Sequence, residues 1–105
     1  MSIIKSEVPV QTIRVLLVDD DEHIQDSLKQ AIELDPALTL LGQCQTLREA
    51  FAALEELQPD VALIDIGLPD GNGLELISHI NEQVPHCDSM VLTVLTDESH
   101  VIACI

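Results

Sequence analysis

Val61-Ala62-Leu63-Ile64-Asp65-Ile66-Gly67-Leu68-Pro69-Asp70-Gly71-Asn72-Gly73 is the stretch whose reading decides the fold. Four apolar residues, two of them β-branched, run straight into a lone carboxylate, and a Gly/Pro/Asn-rich loop follows. An apolar run of this length bounded by Gly and Pro reads as a strand buried on both faces. Asp65 then stands at the carboxyl end of that strand, the edge at which open α/β sheets bind ligands. A carboxylate in that place either organises the loop by accepting hydrogen bonds or carries function.

Upstream of this strand, Ile13–Val18 is a second β-branched-rich run, and it ends in Asp19-Asp20-Asp21-Glu22. Ile24, Leu28, Ala31 and Ile32 then recur at the spacing of a one-sided helix. Asp35-Pro36 stops it, because proline biases the preceding residue away from helix. Leu38–Cys44 predicts a strand. Thr46-Leu47-Arg48-Glu49 is a capping-box pattern, in which the hydroxyl takes the Glu49 amide proton and the Glu49 carboxylate reaches back. The helix it opens carries Leu47, Ala50, Phe51, Leu54 and Leu57 on one face and ends near Gln58-Pro59.

Downstream of the central strand, a helix is expected from Leu74 to about Val84, with Leu74, Ile77, Ile80 and Val84 inward and Pro85 closing it. Met90–Leu95 predicts a fourth strand, and Asp97 onward predicts the first turns of a fourth helix. Residues 1–11 are expected to form a flexible arm and residues 12–105 a single domain. Strands alternating with helices of this length imply a parallel sheet covered on both faces and wound through right-handed crossovers. The expected fold class is therefore α/β, a doubly wound parallel sheet.

Composition narrows the function. A chain of 105 residues allows one core. With a single aromatic, Phe51, that core must be built from Leu, Ile, Val and Ala. Nineteen acidic residues against four basic ones give a net charge of −15, and phosphate contact needs clustered Lys and Arg. Direct nucleic-acid binding is therefore not expected, whereas divalent cations or basic partners are. No apolar run approaches the roughly 20 residues of a membrane span, and the N-terminus lacks a hydrophobic signal segment. Cys44, Cys87 and Cys104 are odd in number and widely spaced, which fits reduced thiols in a cytoplasmic protein. The four histidines show no ligand spacing with them, so no zinc site is expected.

Parallel strands present their carboxyl ends on one edge. Asp19 and Asp20 end the first strand, Asp65 ends the third, and Thr93 lies late in the fourth. In the common 2-1-3-4 strand order the first and third strands are neighbours, so three carboxylates converge with a hydroxyl close by. Like charges this close are costly unless one is protonated or a cation neutralises them. An all-oxygen set of this kind suits Mg²⁺. A carboxylate screened by a metal can attack a phosphoryl group as a nucleophile, giving an aspartyl phosphate. The bland alternative for Asp19-Asp20-Asp21-Glu22 is an N-cap with acidic first-turn residues. The loop Asp65–Leu76 is not an EF-hand, since its twelfth position is Leu76 and not Glu. His23 reads as an exposed first-turn residue and Thr96 as a helix cap.

Val18-Asp19-Asp20, Ile64-Asp65-Ile66-Gly67-Leu68-Pro69, Gly73 and Val91-Leu92-Thr93 together resemble the receiver domain of two-component response regulators, over roughly Ile13 to Ile105. The resemblance implies a flavodoxin-like fold in which Asp65 accepts phosphate from the phosphohistidine of a sensor histidine kinase. It implies that Asp20 binds Mg²⁺ directly, that Asp19 helps, often through water, and that Asp65 and the Gly67 main-chain carbonyl complete the metal set. Thr93 is then the switch hydroxyl that reorients toward the phosphate. Gly67-Leu68-Pro69 and Thr93-Val94-Leu95-Thr96 look closest to regulators with a helix-turn-helix output domain.

The family pattern continues with the rest of a fourth helix, a fifth strand ending in a lysine, and a fifth helix. Here neither Lys5 nor Lys29 stands where that ammonium would, so the expectation is a partial receiver domain, incomplete at the C-terminus. The strand at Met90–Leu95 is then expected as an unpaired edge and one face of the first helix as open. Dimerisation through either, or a rearranged C-terminal segment, is expected to cover the gap. Three functions follow: a regulatory phosphoacceptor that is not an enzyme in its own right; a receiver acting only as a dimerisation or protein-interaction module; and a small hydrolase with an aspartyl nucleophile. The last ranks lowest, because the second acid that such enzymes place two residues on is Gly67 here.

Overall fold

The computed structural model describes residues 12–95 and 100–104. The arm expected at residues 1–11 and the first residues of the expected fourth helix lie outside the described residues. Among the described residues, seven strands and three helices follow one another: β1 (Ile13–Val18), α1 (Glu22–Leu34), β2 (Leu38–Cys44), α2 (Leu47–Leu57) and β3 (Val61–Asp65); the two-residue strands β4 (Gly67–Leu68) and β5 (Gly71–Asn72); then α3 (Gly73–Gln83), β6 (Asp88–Leu95) and β7 (His100–Cys104).

The main sheet has the order β2-β1-β3-β6-β7, and β4 and β5 form a separate small ribbon. Its first four strands are parallel, as expected of a chain whose strands alternate with helices. β7 runs antiparallel to β6. This corrects the sequence reading at the C-terminal end: His100–Cys104 is a strand, not a continuing helix, and the outer edge of β6 is paired over Val91–Leu95. Val101 and Ile102 are β-branched, and an open parallel edge offers unpaired N–H and C=O groups for such a run to join. A dimer formed through that length of β6 would have to displace β7.

Two apolar layers cover the sheet. The larger core gathers Leu16, Val18, Ala62 and Ile64 from the strands against Leu47, Ala50 and Leu54 of α2 and Leu76 and Ile80 of α3. Val15, Leu17 and Ile32 form the smaller one, with Leu28, Leu38, Leu40 and Leu63 packed against it. Successive residues of β1 therefore feed opposite layers, which is why Val15–Val18 is apolar without a break. The α2 face is the expected one. Of the expected inward residues of α3 and its end, Ile80 is buried and Ile77 and Val84 pack against the same core, but Leu74 is 49% exposed, while Gly73 and Leu76 are buried. Close packing of Gly73 against the end of β3 turns the first turn of α3 so that Leu76 and not Leu74 faces the core.

The helix ends follow local chemistry. Asp21 caps α1 by accepting from the His23 and Ile24 amides, and Asn72 caps α3 by accepting from Leu74. In the predicted capping box, Thr46 Oγ1 accepts from the Glu49 amide at 3.1 Å. The Glu49 carboxylate reaches one residue further back than the motif prescribes, to the Gln45 amide at 2.8 Å. Cys44 and Cys87 are buried free thiols, and burial pushes both up to about 11.

Candidate phosphoacceptor site

β1 and β3 are neighbours in register, with Val18 opposite Ile64. The next residues, Asp19 and Asp65, therefore leave adjacent strands side by side at the carboxyl edge. Asp20 follows one position on. One carboxylate oxygen from each of Asp19, Asp20 and Asp65 lies within 4.8 Å of the others. The three differ in exposure: Asp19 is buried, Asp65 half-buried and Asp20 exposed.

Burial and like charge act together here. Asp19 is raised from 3.8 to about 6, chiefly by burial, with the charges of Asp65, Asp20 and Asp21 adding to it. The Asp21 N–H opposes this by donating to Asp19 Oδ1 at 2.8 Å. Asp65 is also raised, first by burial and then by the charge of Asp20, against the pull of the Gly67 N–H, which donates to its Oδ1 at 3.3 Å.

The donor set fits a hard divalent cation. Ligands on opposite sides of Mg²⁺ stand about 4.2 Å apart, so oxygens already within 4.8 Å need only side-chain adjustment to share one ion. A cation there would also remove the repulsion that raises Asp19 and Asp65. Gly67 lies two residues past Asp65 in the loop at the same edge, with open space where a side chain would project. Thr93 follows Leu92 in β6, and Leu92 is the register partner of Asp65, so the main chain of Thr93 lies at this edge.

Three further residues support the site: Gly73, which the resemblance already included, and Asp70 and Gln25, which the sequence did not single out. Gly73 packs against the end of β3: a Cβ there would sit 2.3 Å from the Asp65 carbonyl oxygen and 2.9 Å from Ile64 Cγ2. Its N–H donates to the Ile66 carbonyl at 2.7 Å, closing the loop that starts at Asp65. Asp70, in the same loop, accepts from the Leu47 and Arg48 amides at 2.7 and 3.1 Å, which ties the loop to the N-terminus of α2. Those hydrogen bonds hold its carboxyl below the usual range. Gln25 is buried behind Asp19; with Leu28 and Ile32 it makes an i, i+3, i+7 set, a signal that was present in the sequence.

The comparisons with known proteins agree with this geometry. The family model of the response regulator receiver domain matches residues 15–105. The DNA-binding transcriptional activator DevR/DosR of Mycobacterium tuberculosis is 34% identical over 90 residues, covering 86% of this chain and 42% of that protein. The chain thus spans less than half the length of that curated relative. Among solved structures, the response regulator domain of Thermotoga maritima CheB superposes with a TM-score of 0.74 at 33% identity, covering 84% of this chain and 65% of that one. The non-phosphorylated receiver domain of Escherichia coli RcsB matches with a TM-score of 0.73 at 22% identity, covering 79% of this chain and 66% of that one, a likeness of fold alone. Four parallel strands in this order, acidic residues brought together at their carboxyl edge and a family match over nearly the whole described chain have one common explanation: the chain belongs to the response regulator receiver domain family.

Proposed function

We propose that residues 12–105 are a phosphoacceptor module of a cytoplasmic two-component system, in which Asp65 takes a phosphoryl group from a sensor histidine kinase with Mg²⁺ as the cofactor. The observation that carries this reading is the meeting of Asp19, Asp20 and Asp65 oxygens within 4.8 Å. Burial, and after it repulsion between the acids, raise Asp19 and Asp65, and a divalent cation offsets both effects. Asp19, Asp20, Asp65 and the Gly67 carbonyl would hold the ion, which when bound neutralises charge on the transferred phosphoryl oxygens.

The chain's own residues do the rest. An ionised Asp65 oxygen attacks phosphorus, an O–P bond forms, and the bond from phosphorus to the kinase imidazole nitrogen breaks, the electron pair leaving with the imidazole. The Gly67 N–H orients Asp65 by donating to Oδ1. Thr93, at the same edge, supplies a hydroxyl for the phosphoryl oxygens. The role is regulatory: the chain catalyses at most its own modification. The excess of acidic residues argues that nucleic acid is not contacted by this segment.

Incubation with acetyl phosphate and Mg²⁺ tests the reading. One phosphoryl adduct by intact mass is expected on the native chain, none on Asp65→Asn, and none after chelation. An adduct that survives in Asp65→Asn, or none on the native chain, sinks it.

A second reading, a receiver acting only as an interaction or dimerisation module, draws on a different observation. An apolar cavity of about 220 Å³ opens beside α1, lined by Ile13, Val15, Ile32, Leu38, Val61, Leu63 and Met90. A second copy could cover it. Sedimentation showing a dimer, together with no adduct from acetyl phosphate, would select this reading.

A further inference from the structure

One side chain of α1 ties the carboxyl ends of β1 and β2 together. Gln25 is 5% exposed, and its Nε2 donates to the Asp19 main-chain carbonyl at 2.5 Å and to the Cys44 carbonyl at 2.8 Å. The Cys44 carbonyl also accepts the Asp19 N–H at 2.9 Å. We propose that Gln25 is a positioning residue for the acidic pair: by holding the Asp19 carbonyl it sets the path of the main chain through Asp19 and Asp20, and so the direction in which both carboxylates meet Asp65. This rests on the Mg²⁺-dependent reading of the site.

Asp19 is held in three ways. Its N–H donates to Cys44, its Oδ1 accepts from the Asp21 N–H, and its carbonyl accepts from Gln25. The first two use partner groups on the main chain and would survive replacement of any side chain other than that of Asp19 itself. The third depends on the residue at position 25. Rotation of the Asp19 carbonyl is rotation of the peptide that carries Asp20, so release of this bond moves the more exposed of the two acids relative to Asp65.

The chemistry of an amide suits the task. Its two N–H groups diverge from one nitrogen and reach carbonyls on two neighbouring strands at once. A carboxylate has no proton to donate, and a lysine or arginine would bring positive charge toward a cation site. On its other side Gln25 borders an open cavity of about 320 Å³ shared with Glu22, Asp26 and Glu49; none of Asp19, Asp20 or Asp65 lines it. Gln25 thus stands between that surface hollow and the acids.

A buried amide also stabilises the fold merely by satisfying two carbonyls, so the test separates affinity from stability. Mg²⁺ binding by calorimetry and thermal unfolding without Mg²⁺ are measured on the full chain, on Gln25→Leu, and on Ile32→Ala. Ile32 is buried on the same helix, packed with Val15 and Leu17. Gln25→Leu is expected to weaken Mg²⁺ binding about tenfold. Ile32→Ala, with an equal or larger loss of melting temperature, is expected to change binding less than about twofold. Binding of Gln25→Leu within twofold of the native chain, or an equal loss in Ile32→Ala, overturns the proposal. If Gln25→Leu does not fold, Gln25→Asn, whose amide is one methylene short of the carbonyls, takes its place under the same criteria. A native chain that takes up no Mg²⁺ defeats the reading of the site itself and this inference with it; normal native binding unchanged by Gln25→Leu defeats the inference alone.

Discussion

A methyl group on the Cα of Gly73 would lie 2.3 Å from the main-chain oxygen of Asp65, closer than any packed carbon and oxygen approach. The start of α3 is therefore pressed against the residue that carries the proposed chemistry. Nothing larger than hydrogen fits, and the obstacle is backbone, which cannot swing aside as a flexible side chain can. Gly73→Ala should cost about 2–3 kcal/mol by overpacking. It should also displace Asp65 and slow phosphoryl uptake from acetyl phosphate. Denaturant melts and labelling rates check both; an alanine chain as stable and as reactive as the native one would contradict the contact.

Asp19 makes stability depend on pH in a defined direction. Its carboxyl is raised from 3.8 to about 6, so the folded chain binds this proton more tightly than the unfolded chain does. The contribution of Asp19 to stability is therefore most favourable below about pH 4, falls as pH rises toward 6, and reaches its full penalty above that. The penalty is on the order of 2–3 kcal/mol. Asp19→Asn keeps an oxygen for the Asp21 amide and removes the charge, so it should stabilise the Mg²⁺-free chain at pH 8 and have little effect at pH 4. Equal stability of the two chains at pH 8 would mean that burial of the charge costs nothing.

Mg²⁺ should narrow that gap. A ligand that binds the folded chain alone raises its stability by mass action, about 2.7 kcal/mol at one hundred times the dissociation constant. The melting temperature of the native chain should climb with Mg²⁺ concentration, and that of Asp19→Asn should climb less. A parallel rise in both would place the ion elsewhere.

The loop after Asp65 is anchored to α2 by Asp70, whose carboxylate accepts from Leu47 and Arg48. Asp70→Ala should lower the melting temperature and speed amide exchange at Leu47 and Arg48. Because those bonds hold the Asp70 carboxyl below its ordinary value, the contribution is present above that value and is lost as pH falls through the lowered one. Exchange rates at these two amides that ignore both the substitution and acid would refute the anchor.

The C-terminal strand is testable without any substitution. Thr93 and Ile102 are register partners in the antiparallel pair β6–β7. Secondary chemical shifts over His100–Cys104 should be those of a strand, with cross-strand contacts linking Thr93 to Ile102. Helical shifts there would restore the sequence expectation.

The sequence by itself determined the parallel α/β layout. Unbroken apolar runs such as Val15–Val18 and Val61–Ile64 can be satisfied only when both faces are covered, and the helical stripes between them supply the cover. It also determined which residues end the strands, because Asp19 and Asp65 interrupt those runs. Tertiary structure alone decided three further points. That Leu76 and not Leu74 faces inward in the first turn of α3 turned on a backbone contact at Gly73 that no periodicity encodes. Asp70 and Gln25 act on partners 23 and 19 residues away, and pairings over such separations leave no local pattern. The fate of His100–Cys104 depended on a neighbour: a short β-branched run reads ambiguously until the open edge of β6 offers hydrogen-bond partners to it.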